Sequence, residues 1–277
     1  MRKIICAFVF VCLAARAADH GPVFALATPT NPQGGWSADI AVNGRSGSGG
    51  IGAGLEGELS YGITPDLKVQ VSGPLVIEPD PYTPSSVTLF TPMLGDFSAL
   101  ATWRFARKDL SGARIESAAI GGLLAPGPQA QAGLYRDMHS GPGFLAGGAT
   151  GLASRSNYLW VGASFQRYAQ SRGDRRPNLL TGSLAYAYRP QAWRTDYPRW
   201  DWRIFGEVTA EHAGPLQRSS LELPGTTGSD LFVGPSVLGV YRAIGIEGGL
   251  QFPVWRDTGR LYPRERMRFV VNLAYFF

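Results

Sequence analysis

Met267-Arg268-Phe269-Val270-Val271-Asn272-Leu273-Ala274-Tyr275-Phe276-Phe277 are the last residues of the sequence, and their alternation decides the fold. Met267, Phe269, Val271, Leu273, Tyr275 and Phe277 share one face; Arg268, Val270, Asn272, Ala274 and Phe276 share the other. Successive side chains of an extended chain point to opposite sides, so a period of two over about ten residues describes a strand with one apolar face. Such a face meets either the second layer of a soluble β-sandwich or lipid.

The other end of the chain favours lipid. Arg2 and Lys3 precede a uniformly apolar run from Ile4 to Leu13, and Ala15-Arg16-Ala17 fits a small-x-small cleavage site. This is the layout of a secretory signal, expected to span residues 1–17, with cleavage after Ala18 as the alternative. The run is too short to cross a membrane as a helix. Cys12 does not read as a lipoprotein site, because Phe10-Val11 before it are bulky. Cys6 and Cys12 both leave with the signal, so a mature chain starting at Ala18 has no disulfide and no thiol chemistry.

Charge and hydropathy exclude other classes. The formal charge of +5 falls to +2 once Arg2, Lys3 and Arg16 are removed, far from the concentrated basic surface that nucleic acid requires. Mean hydropathy is near zero, yet the chain holds 36 glycines and 12% aromatics. That balance suits a barrel with lipid outside and polar side chains inside.

Alternation continues upstream. It predicts strands over Trp36–Asn43, Ile51–Tyr61, Leu67–Gly73, Gly95–Phe105, Ala113–Ala125, Gly143–Ala153, Tyr158–Tyr168, Leu179–Arg189, Asp201–Glu211, Asp230–Tyr241, Ala243–Phe252 and Met267–Phe277. The faces of the sixth and tenth stay open, and Pro235 is expected to mark a bulge in the tenth. The fold class is therefore all-β: a transmembrane, antiparallel, up-and-down β-barrel of about twelve strands over residues 36–277.

Connection lengths support this. The links after strands two, four, six and ten are short, whereas most links after the odd strands are longer and rich in Pro, Gly or Arg, such as Pro74–Leu94, Pro126–Pro142 and His212–Ser229. Short periplasmic turns and long outer loops are the expected asymmetry, with both termini periplasmic in the outer membrane of a Gram-negative bacterium. Trp36, Tyr61, Trp103, Phe105, Tyr158, Tyr188, Trp202, Tyr241 and Phe277 fall at the turn ends and predict one interfacial girdle; Phe144, Tyr168, Phe232, Phe252 and Phe269 predict the other.

The terminal strand resembles the last strand of bacterial outer-membrane barrels, which implies that Tyr275 and Phe277 act as an assembly signal read by the insertion machinery. Several further segments resemble a family of outer-membrane barrels labelled transporters of the phenol meta-cleavage pathway. They are His20-Gly21-Pro22 with the Pro-rich run to Trp36, Leu59-Ser60-Tyr61-Gly62-Ile63-Thr64, Gly95-Asp96-Phe97, Glu207, and Gly248-Gly249-Leu250-Gln251-Phe252-Pro253-Val254. The resemblance implies an architecture related to hydrophobic-compound channels and carries over transport, not a particular substrate.

Parity turns Asp39, Glu56, Glu58, Lys68, Asp96, Arg104, Arg114, Glu116, Arg189, Arg203, Glu207, Glu211, Glu247, Arg266 and Arg268 inward, as lumen-lining residues. Mixed signs suit a structural ion-pair network as well as a permeation path, and no single-sign ring is visible. Residues 18–35 carry Pro22, Pro29 and Pro32, which cannot donate to a ladder. This segment reads as a periplasmic tail or a lumen plug, with Phe24 and Leu26 as the packing candidates. A mature start of Ala18-Asp19-His20 would give His20 a place in a square-planar Cu(II) or Ni(II) site.

The expected function is an outer-membrane channel passing small molecules, hydrophobic ones among the candidates, by diffusion and without cofactor. Its expected partners are outer-membrane lipids, the barrel assembly machinery and a small solute, not nucleic acid. One alternative is a non-transporting structural or surface-contact barrel. Another is a lipid hydrolase, for which His212 at the outer rim points toward lipid. Ala213 and Gly214 stand where a His-x-Ser motif would need its serine, so the reading is not an enzyme.

Overall fold

The computed structural model describes residues 21–47, 50–75, 96–127, 138–193, 199–261 and 264–277. The signal, the proposed metal ligand His20 and most of the two loops expected at Pro74–Leu94 and Pro126–Pro142 lie outside the described residues. The strands are β1 (Trp36–Gly47), β2 (Gly50–Thr64), β3 (Leu67–Pro74), β4 (Phe97–Leu110), β5 (Ala113–Ala125), β6 (Ser140–Ser154) and β7 (Asn157–Gln170). They continue as β8 (Leu179–Tyr188), β9 (Asp201–Ala213), β10 (Gln217–Arg218), β11 (Leu221–Glu222), β12 (Gly228–Tyr241), β13 (Ile244–Thr258) and β14 (Glu265–Phe276).

Twelve of them form a closed antiparallel barrel in which each pairs with its neighbours in sequence, and β14 closes on β1. The small β10–β11 hairpin stands apart in the link between β9 and β12. Closure continues to the last residue: the Phe277 and Trp36 amides each donate to the other's carbonyl, at 3.0 and 2.8 Å. Full closure leaves no sheet edge, the condition for crossing a membrane with strands.

Burial runs opposite to that of a water-soluble protein. Ile40, Val71, Leu123, Val161, Leu184, Leu250, Val271 and Leu273 are exposed, Leu123 at 69%. Asp39, Lys68, Glu207, Glu211 and Arg268 are buried. A continuous apolar exterior around a charged interior is stable only when lipid surrounds the barrel.

The strands run past the limits that alternation sets. β4 continues to Leu110, β7 to Gln170 and β13 to Thr258. Beyond the lipid band the outward face no longer has to be apolar, so the alternation fades while the ladder continues. The open faces of the sixth and tenth strands resolve: Leu145 and Ala149 point inward from β6, and Ser236 and Leu238 from β12. The bulge expected at Pro235 falls at Leu231/Phe232, opposite Pro253 of β13.

Three girdle assignments need correction. Tyr168 and Phe232, expected at the loop-end girdle, are buried inside the barrel. Tyr158 also turns inward, stacking on buried Trp160 beneath Arg203. The expected periplasmic girdle otherwise gathers at the turn end, where Trp36 packs on Tyr61 and Phe277, and Trp200 on Trp202 and Tyr241. Arg266 is corrected as well. A register shift between Ser46 and Gly47 turns Glu265 inward and leaves Arg266 exposed.

Candidate functional site

The lumen is organised around residues 21–35. The prolines keep this stretch out of the β-ladder, so its amides need other acceptors once it lies among barrel walls. Glu207 of β9 supplies them. Its carboxylate accepts the amides of Val23, Phe24 and Ala25 at 2.9, 2.7 and 2.8 Å, and the Ser236 hydroxyl also donates to it. Ser183 of β8 accepts the Leu26 amide at 3.1 Å. Three successive amides converging on one carboxylate hold an anion that is otherwise costly to bury.

Two glycines make room for the same segment. A Cβ at Gly249 would lie 2.6 Å from the Phe24 ring, and one at Gly162 would lie 2.8 Å from Leu26 Cβ. Toward the turn end, Thr30 donates to the Pro65 carbonyl at 2.8 Å, Asn31 to Ser60 Oγ at 2.8 Å, and Gly34 to the Gly62 carbonyl at 2.8 Å.

Beside the segment lies a cavity of about 310 Å³. One wall is the segment itself, from Gly21 to Pro29. The facing wall carries Asp39, Glu56, Glu58, Lys68 and Glu247. Neutral polar groups tie this wall together: Asn43 donates to Glu56 at 2.7 Å, Gln70 to Glu58 at 3.1 Å, and Asn272 to Asp39 at 3.0 Å.

The other inward-assigned charges sit away from the cavity, in paired groups. Toward the loop end, Arg268 holds Glu211 through two bonds of 2.6 and 2.7 Å and Glu265 through a third of 2.6 Å. Arg45 meets Glu265 at 2.8 Å, and the Arg268 guanidinium lies 3.6 Å over the Phe232 ring. Asp96 is buried against Arg176 at 2.8 Å and accepts the Tyr168 hydroxyl at 2.7 Å. An apolar cluster including Leu124, Met138, Leu145, Leu179 and Leu216 packs around Tyr168.

At the turn end, Arg104 reaches Asp66 at 2.8 Å and Glu116 at 3.3 Å. Arg114, on the exposed rim, pairs with Asp109 at 2.7 Å. Arg189 and Arg203 share Asp201. Among the described residues, no group of three His, Cys, Asp or Glu side chains is arranged to hold a metal ion.

Alternation misses several partners. Arg45 continues the inward parity of Asp39 and Asn43, so a strand drawn two residues longer would have included it. Ser183 and Ser236 also sit at inward parity, but nothing in their spacing marks them as partners of the N-terminal segment.

Fold, inverted burial and charged lumen together define a transmembrane β-barrel of the outer-membrane kind. No protein-family model matches the sequence, and no curated protein matches it. Among solved structures the chain is similar to an outer membrane channel from Pseudomonas putida F1, with 10% identity and a TM-score of 0.60 over 90% of this chain and 97% of that one. It is also similar to the NanC porin, with 9% identity and a TM-score of 0.50 over 86% of this chain and 98% of that one. At such identities the likeness is one of fold.

Proposed function

We propose that the protein is a passive channel of the bacterial outer membrane for small solutes, with both termini in the periplasm and the segment within residues 18–35 narrowing the lumen. The carrying observation is the cavity of about 310 Å³ between that segment and a charged wall. The segment is held by hydrogen bonds rather than ladder pairing, so it can shift without opening the barrel. Fold likeness to an outer membrane channel and a porin supports the same reading. Lipids around the belt and the assembly machinery acting on Tyr275 and Phe277 are the partners this function needs.

A non-transporting structural barrel is the second reading. It draws on the loop end, where the apolar cluster and the buried Asp96–Arg176 pair fill the lumen. Reconstitution into planar bilayers and solute-loaded liposomes separates the two. A channel gives discrete conductance steps and solute uptake; a barrel that folds, inserts and gives neither is structural.

A further inference from the structure

We propose that His212 and Ser229 form a nucleophilic dyad on the lipid-facing wall that cleaves acyl esters of membrane lipids. This activity rests on the outer surface and is independent of the channel reading, which rests on the lumen. His212 lies near the end of β9 and Ser229 near the start of β12, directly opposite each other in the ladder. His212 Nδ1 is 2.8 Å from Ser229 Oγ. The serine that the local sequence lacks after His212 is thus delivered by the next barrel strand, 17 residues further on.

The dyad faces outward. Glu211 and Asp230, its neighbours in the chain, are both buried inside the barrel, so alternation turns His212 and Ser229 to the exterior. His212 is exposed. The adjoining outward positions are Leu180 on one side and Asp257 on the other, paired with His212 and Ser229 respectively.

Toward the membrane the wall is apolar: Leu184, Val233, Phe252 and Trp255 are all exposed. Next to Leu180 and His212 come Gly182 and Ala210, paired with each other. A Cβ at Gly182 or Gly206 would meet nothing within 4 Å. Gly182 and Ala210 thus leave a gap beside the dyad, bounded on the membrane side by the Leu184–Val208 pair. The gap would take a hydrocarbon chain whose ester lies level with the dyad at the edge of the lipid band.

The chemistry balances without a cofactor. A serine hydroxyl is a weak nucleophile until a base accepts its proton. His212 takes the proton from Ser229 Oγ as the oxygen attacks the ester carbonyl carbon, forming a tetrahedral oxyanion. As that intermediate collapses, the bond to the glycerol oxygen breaks, His212 returns the proton to the leaving alcohol, and the acyl group stays esterified to Ser229. Water then attacks the acyl-serine. His212 takes the water's proton and passes it to Ser229 Oγ, releasing a fatty acid and the free serine.

The test uses the full barrel, purified from a host lacking its own outer-membrane phospholipase, in vesicles of phosphatidylethanolamine carrying a fluorescent ester-linked acyl chain. The wild-type barrel is expected to release labelled fatty acid and to take a fluorophosphonate label at Ser229. Release should drop about 10²-fold or more in Ser229→Ala and in His212→Asn, and labelling should vanish in Ser229→Ala. Both positions lie on the outer wall, so both variants should still fold into a heat-modifiable barrel. Release undiminished in Ser229→Ala, or a wild-type barrel that neither releases fatty acid nor takes the label, overturns the proposal.

Discussion

Glu207 carries a charge into a fully buried position, and the Val23, Phe24 and Ala25 amides with the Ser236 hydroxyl compensate for it. The dependence is mutual, because a buried amide left without an acceptor costs about 1–3 kcal/mol. Glu207→Ala should therefore free the segment while leaving the barrel intact. Amide exchange at residues 23–25 should speed up markedly, with exchange in β9 and β12 little changed. Equal protection in the variant would mean that packing of Phe24 and Leu26 alone holds the segment. Val271 and Asn272 test the wall itself, being adjacent and opposite in facing. Val271 is 57% exposed to lipid, whereas Asn272 points inward and donates to Asp39 and Glu247. Arginine at Val271 should cost about 2–4 kcal/mol near mid-membrane. Arginine at Asn272 gains two carboxylate neighbours and should cost much less. Denaturant refolding into vesicles measures both; equal penalties would refute the assigned faces.

The closing strand pair of the barrel, β14 against β1, ends in aromatic contacts. Phe277 stacks on Trp36 and Tyr275, with ring centroids 6.4 and 5.9 Å apart. Deleting Phe277 removes these contacts and the last rung of the closing ladder. The amount of heat-modifiable barrel in outer membranes should fall; unchanged yield would count against an assembly role. At the other end, Asp174 ties three links together. It accepts the amides of Ser219 at 2.9 Å and His139 at 3.0 Å, and its carboxylate lies 3.6 Å from the His139 ring. These bonds, led by the Ser219 amide, hold its pKa below the usual aspartate value. The folded loop therefore binds the proton less readily than the unfolded one. Its added stability is present above the ordinary value, about 3.9, and is lost as pH falls through the lower folded value. Protease cutting at residues 171–178 should rise steeply below about pH 4 in the wild type and depend less on pH in Asp174→Asn. Strands were legible in the sequence because lipid imposes a strict period of two on each outward face. Contacts between elements were not. Parity turns Glu207 inward, but the three amides it accepts lie more than 180 positions away, and no local pattern encodes such a pairing. Arg176, in a loop with no alternation, is likewise paired with Asp96 across 80 positions.

At the scale of the whole molecule the lumen has two unlike halves. The loop end is packed with matched ion pairs and an apolar cluster, and removing one partner of a buried pair there would strand the other. The turn end is narrowed by a strap held by hydrogen bonds, by Phe24 and Leu26 set against glycines, and by Ala25 and Ala27 packed on the cluster of Trp160, Phe205 and Leu238. The strap is the weaker of the two seals. Its removal takes away no strand, no ladder hydrogen bond and no member of the loop-end ion pairs. Residues 19–33, at most ~3.3–3.6 Å each when extended, are long enough to reach deep into a membrane band about 25 Å tall. Deleting them empties the wall opposite Asp39, Glu56, Glu58 and Glu247, so the cavity should merge with the mouth at the turn end. Single-channel conductance should then rise several-fold, while heat-modifiable folding and the loop-end protease pattern stay as in the wild type. A folded deletion variant with unchanged conductance would place the controlling constriction at the loop end, among Asp96, Arg176 and the cluster around Tyr168, and would remove the strap from the permeation path.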